Sequence, residues 1–251
     1  MSRILYKYID IKGGKAMLKN QTLQYTNATQ LNDPFDCHPG LLDYSKIPEG
    51  YSPEKKEWYL GKLQNDALNK RNRAWICSLT KRNDSILMWT HYAKNHQGIC
   101  IGLNMDEVRK HPIQGNLWQS PEEIEVQYVD ILNQDNRKPY FEYLYGTKAK
   151  EWEYEKEVRL LIENPSWRFA VRPSLKIMFQ RIIDPKIIRY QVKLPSECFD
   201  SVYFGIYTCK KTIEKITNIV RKINPNIKLY QMAVDENALR LKAEEIKTKE
   251  L

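Results

Sequence analysis

Along the first residues Leu5, Lys7 and Ile9 alternate with Ile4, Tyr6 and Tyr8, a period of two that predicts a strand over 4–9. A helix or loop over 13–20 leads to a second strand at 22–26. The Asn, Asp and Pro residues of 27–36 then signal turns, and a loop holding Pro39, Pro48 and Pro53 follows. Trp58, Leu60, Leu63, Ala67 and Leu68 form the apolar stripe of a helix expected over 53–73. A strand at 74–79 precedes Asn83-Asp84-Ser85, whose short oxygen-bearing side chains suit a helix start, and that helix should end near Lys94. Apolar runs and alternation predict further strands at 99–103, 125–129, 154–162, 187–194, 201–205 and 228–234. Helices are expected at 136–150 and 211–223. The charged tail, 236–251, reads as a mixed-sign helix beyond a single domain covering 1–235. Strands and helices mix without regular βαβ spacing, so the expected class is α+β.

Composition narrows the partners and the compartment. With 42% hydrophobic and 11% aromatic residues in 251, the chain has the means to build a core and is not a disordered protein. Five cysteines, widely spaced and odd in number, fit neither a disulfide framework nor a zinc knuckle. No apolar run approaches a membrane span and no leader is evident, so a cytoplasmic protein with no membrane partner is expected. The formal charge is +9, and residues 165–193 hold seven Lys or Arg against one acid, interleaved with Trp167, Phe169, Phe179 and Tyr190. That stretch suits either a solvated face or a nucleic-acid-binding module.

Three clusters could carry chemistry. In 148–162 a strand would project Glu155, Glu157, Arg159 and Leu161 from one face and Lys156, Val158, Leu160 and Ile162 from the other. One carboxylate could bind a sugar hydroxyl and offset positive charge on its ring, while Arg159 holds the neighbouring acid ionised or binds phosphate; or the three form a solvent-facing ladder of ion pairs. On the helix before Gly98, His91 and Asn95 share a side, where His91 could donate to a ligand or bond the backbone. Asn32-Asp33-Pro34-Phe35-Asp36 is a rigid turn that could wall a pocket. Glu155, Glu157 and His91 together also admit a metal-free hydrolase or nuclease. There is no His-x-x-x-His pair, Gly-x-Gly-x-x-Gly or Walker loop, so no metal site is expected.

The segments Leu5-Tyr6-Lys7-Tyr8, Leu23-Gln24-Tyr25, Asn32-Asp33-Pro34-Phe35-Asp36, Ile76-Cys77-Ser78-Leu79, Met88-Trp89-Thr90-His91-Tyr92, Gly98-Ile99-Cys100-Ile101-Gly102, Trp152-Glu153-Tyr154-Glu155-Lys156-Glu157-Val158-Arg159 and Phe204-Gly205 occur in this order. Together they resemble the bacterial family called domain of unknown function 2971. Its layout is similar to the ADP-ribosyltransferase superfamily, which binds NAD in a cleft between two small mixed or antiparallel sheets with packed helices. The resemblance implies an enzyme that cleaves NAD and transfers ADP-ribose to a protein, nucleic-acid or small-molecule acceptor, as a toxin or phage-defence effector would. It implies Glu157, with Glu155 as the alternative acid, as the catalytic carboxylate, Tyr25 stacking on nicotinamide, and Lys7 holding the adenosine ribose. Relatives carry His at the position of Lys7, so this chain departs from the pattern there. Tyr8, Asn32, Asp33, His91 and Arg159 complete the nucleotide-binding set that the resemblance implies.

Overall fold

The computed structural model describes residues 2–45, 47–111, 121–132, 141–163 and 189–246. The N-terminal alternation becomes strand β1 (Ile4–Ile9), followed by helix α1 (Ile11–Asn20) and β2 (Thr22–Asn27). Asp10 caps α1, its Oδ1 accepting the Gly13 N–H at 2.6 Å. The Gly13-Gly14 pair that weakens the helical signal has a packing reason. A Cβ on Gly14 would come within 2.3 Å of Ile99 Cδ1, so only glycine lets α1 lie this close to the sheet.

Then come α2 (Pro53–Asn72), β3 (Ala74–Thr80), α3 (Ile86–Tyr92), β4 (Ile99–Asn104) and α4 (Met105–Lys110). The middle of the chain supplies β5 (Glu122–Glu125), β6 (Gln127–Val129), α5 (Phe141–Gly146), β7 (Thr147–Ala149) and β8 (Glu157–Glu163). The last third adds β9 (Arg189–Lys193), β10 (Phe199–Phe204), α6 (Lys210–Ile223), β11 (Lys228–Asp235) and β12 (Arg240–Glu245).

Among the described residues, the strands other than β6 and β7 form one ten-stranded sheet, where two small sheets were expected. The sheet forks at β3. Strand β8 pairs with all of β3 along one edge, while the other edge is divided between β1, at Thr80, and β2, at Trp75 and Ile76. The class is α+β, as expected.

The sheet has two covered faces. On one, Leu5, Leu23, Tyr25, Cys77, Leu79, Ile101, Val158 and Leu160 pack under α1 and α6. On the other, Ala67, Ile76, Tyr145 and Leu161 form one cluster, and Tyr8, Trp89, Cys100 and Tyr203 another. Each fully buried Leu or Ile contributes about 1.5–3 kcal/mol, so both faces are fixed by burial and a register slip would invert them.

Four expectations need correction. Among the described residues of the mixed-sign tail, 236–246, there is no helix: β12 pairs antiparallel with β11, from Asp235↔Arg240 to Tyr230↔Glu245. Leu241 is the one buried residue of β12, reaching the core while the charged residues around it stay exposed, as suits an edge strand. The expected strand over 154–162 begins only at Glu157. Residues Lys150–Glu155 form a 3-10 helix, and Lys156 has φ 44°, a left-handed conformation that breaks the chain direction. In 136–150, the described residues form α5, the strand Thr147–Ala149 and the first residue of that 3-10 helix. The stripe on α2 buries Ala67, yet Trp58 and Leu68 face outward. Residues 136–140 and most of the basic stretch 165–193, including Trp167, Phe169 and Phe179, lie outside the described residues.

Candidate functional site: a buried cluster of acids and bases

Strand β8 alternates as its sequence requires, with Val158 and Leu160 on the α1–α6 face and Glu157 and Arg159 on the other. Arg159 has no solvent exposure. Its Nε and Nη2 each donate to Glu157 at 3.0 Å. Nη1 donates to Asp36 Oδ1 at 2.7 Å and to the Tyr145 carbonyl at 2.7 Å, and Nη2 also donates to Asp36 Oδ2 at 2.8 Å. All five guanidinium N–H groups are thus occupied by protein. The role of phosphate ligand expected for Arg159 has no donor left for it; the residue ties the Asn32–Asp36 turn to the sheet.

Lys148 links the second half of the cluster. Its Nζ lies 2.6 Å from Glu155 Oε2 and 3.4 Å from Glu157 Oε2, and 4.6 Å from the centre of the Trp152 ring. The left-handed turn at Lys156 aims Glu155 back at this cation, which a continuous strand would not do. The Tyr92 hydroxyl donates to Glu155 Oε1, and the Thr80 hydroxyl to the Glu155 carbonyl. Tyr128 holds the Glu157 backbone N–H at 2.8 Å.

The two carboxylates are pushed apart. Burial alone would raise Glu157, but the Arg159 and Lys148 charges outweigh it and hold its pKa down to about 2. Burial raises Glu155 above the ordinary carboxylate range, against the pull of Lys148 and Tyr92. Asp36, Glu155 and Glu157 set three carboxylates against the two cations Lys148 and Arg159. The carboxylate of Glu155 is the least compensated. It also borders the surface: Tyr92, Trp152 and Tyr154 are half-buried and His91 is exposed. The rings of His91 and Trp152 lie 6.2 Å from that of Tyr154, and His91 lies 6.4 Å from Tyr92. An aromatic rim thus stands over a desolvated acid.

The other expected residues separate from this cluster. Lys7 pairs in register with Ile101, on the α1–α6 face, and its Nζ donates to the Ser78 carbonyl at 2.8 Å, at the fork of the sheet. Tyr25 is 1% exposed in the same core, so neither face of its ring is open for stacking. Lys7 and Tyr25 therefore lie across the sheet from Glu157 and do not share a cleft with it. Tyr8 packs edge-to-face on Trp89 at 5.1 Å and accepts the Ser85 N–H. Asp33 Oδ1 accepts the Phe35 N–H at 2.9 Å, closing the turn that aims Asp36 inward. Exposed Asn32 reaches the Tyr92 hydroxyl. Asp36, Tyr92, Tyr128, Lys148 and Trp152 were not singled out from the sequence. Asp36 and Tyr92 sit within motifs quoted for other residues, and only the Lys156 turn makes Lys148 a partner.

Residues 88–160 match the family model described as Protein of unknown function (DUF2971). That segment runs from α3 into β8 and contains Tyr92, Lys148, Glu155, Glu157 and Arg159. Lys7, Tyr25 and Asp36 lie outside it. No curated protein and no solved structure matches the chain. Among the described residues no helix is long and apolar enough to cross a membrane, and no group of three or more His, Cys, Asp or Glu is arranged to hold a metal ion.

Proposed function

We propose that this protein is an ADP-ribosyltransferase-like enzyme acting at the glycosidic carbon of NAD, with Glu155 as its working carboxylate. The observation that carries this reading is the desolvated acid beneath an aromatic rim, held by one shared lysine and one tyrosine hydroxyl with no guanidinium of its own. Glu157 is saturated by Arg159 and Lys148 and belongs to the scaffold. Glu155 instead meets the surface through the Tyr92 hydroxyl.

In the proposed reaction, the bond from the ribose C1′ to nicotinamide breaks and its electron pair leaves with the nicotinamide nitrogen. The ribose ring gains oxocarbenium character, which the Glu155 carboxylate stabilises in a site of low dielectric. Tyr154, Trp152 and His91 offer rings against which a base or nicotinamide can stack. An acceptor hydroxyl, amine or water then bonds to C1′ and its proton passes to Glu155, whose raised affinity suits it to take one.

Nicotinamide release from NAD, with and without cell extract as acceptor, tests the reading. Glu155→Gln keeps size and hydrogen bonding but removes charge, and is expected to lower the rate by about 10²–10³-fold. Wild-type thermal unfolding of that variant is the control. No release by the native protein, or an unchanged rate in Glu155→Gln, overturns the proposal.

A further inference from the structure

Helix α2 carries an aromatic and basic face that the cluster does not use. Leu60, Leu63 and Ala67 lie on its inner side, with Ala67 fully buried. Trp58, nine residues before Ala67, lies about half a turn away at ~100° per residue and is 62% exposed. Lys62 stands 5.7 Å over the Trp58 ring, one helical turn on. Just before the helix, the Tyr51 ring meets Lys55 at 4.1 Å and, edge-on, Tyr59 at 5.8 Å. Residues 53–73 hold six Lys or Arg against three acids.

From this juxtaposition we infer that the outer face of α2 binds single-stranded nucleic acid. Rings and cations alternate along it, so bases would stack on Trp58 and Tyr51 while Lys55 and Lys62 meet successive phosphates. An anionic membrane suits the face less well, because its apolar residues are isolated from one another and form no continuous stripe to insert. Duplex would keep its bases stacked and leave the rings unused. The inference stands independently of the glycosyl-transfer reading, since no residue of α2 belongs to the acid cluster.

The test uses the full chain, with fluorescein-labelled 20-nucleotide oligouridylate and oligodeoxythymidylate followed by anisotropy across a salt series. Binding of either strand is expected. Trp58→Ala should weaken it about tenfold. Lys55→Glu with Lys62→Glu should weaken it further and flatten the slope of log affinity against log salt by about 1.4. The comparison pair, Lys12→Glu with Lys19→Glu on α1, makes the same charge change on exposed positions and should cost less than about twofold. All these side chains are outside the core, so thermal midpoints should match the native protein. Absence of binding to both strands, equal losses from the α1 and α2 pairs, or binding only to phosphatidylserine vesicles each overturns the inference.

Discussion

Arg159 and Asp36 lie 123 positions apart and meet in a two-pronged ion pair, at 2.7 and 2.8 Å, with no exposure of the guanidinium. The pair joins a surface turn to a central strand. Removing one partner would strand the other charge in the interior, a loss of about 3–5 kcal/mol. Asp36→Asn is therefore expected to lower the unfolding free energy by that amount in urea titrations. Glu236→Gln, on the exposed turn between β11 and β12, should change it by less than about 0.5 kcal/mol.

Glu157 makes stability depend on acid. Its pKa is near 2 in the folded chain and near 4.5 when unfolded, so the unfolded state takes up the proton first as pH falls. The stabilisation is complete above about 4.5 and is lost as pH drops towards about 2. Integrated over that window it is about 3 kcal/mol. Unfolding midpoints measured from pH 6 to pH 2.5 should fall steeply in the native protein. In Glu157→Gln the curve should start lower and run flatter through the same window.

How much of this was legible depends on the period of each segment. The alternation of Ile4–Ile9 puts β1 where it stands, and that of Val158, Leu160 and Ile162 finds β8 but not its start, which lies at Glu157 and not at Tyr154. The tail misleads because charges at alternate positions of an edge strand also look like a solvated helix. The site failed at one residue. Lysine at 156 carries no sign of a left-handed φ, so Glu155 and Glu157 look like neighbours on one strand face. They do converge, but through Lys148 and a 3-10 turn. The side to which Lys7 and Tyr25 point was implicit in their alternation with Tyr6, Gln24 and Thr26. Which face would hold the acids depends on pairing between distant strands, which no local pattern encodes.

Thiol reactivity should separate one cysteine from four. Cys37, Cys77, Cys100 and Cys198 are buried, while Cys209 is exposed at the start of α6. Hydrogen bonding from Thr212 lowers the Cys209 pKa, whereas burial raises the other four thiols. Titration of the native protein with a chromogenic disulfide is expected to release one equivalent quickly and the remaining four only in denaturant. Cys209→Ser should abolish the fast phase alone. A second fast thiol would show that the core opens more readily than its packing implies.

Lys148 offers the sharpest test of the cluster, because its removal should enlarge a pH dependence that Glu155 already carries. Burial opposes its charge, but the Glu157 and Glu155 carboxylates outweigh burial and keep its proton bound. In Lys148→Met those carboxylates lose a shared cation in a desolvated setting, and Glu155, already raised, is the one that can relieve the strain by taking a proton. A folded pKa above the unfolded value means that the folded chain binds the extra proton. Stability therefore grows as pH falls from that raised pKa towards about 4.5. The variant is expected to be destabilised by several kcal/mol at pH 8, as for a broken buried pair, and to regain part of the loss by pH 5. The native protein has no such gain to make from Lys148, which stays charged throughout this range. Lys148→Arg keeps the charge and should keep the native pH dependence even if its bulk lowers stability overall. If nicotinamide release is measurable, the acid limb of its pH profile should move upward in Lys148→Met, since Glu155 must be ionised to act. Parallel stability curves for Lys148→Met and the native protein between pH 5 and pH 8 would mean that Glu155 already carries its proton in the native cluster. The ionised carboxylate that the proposed reaction needs would then be absent.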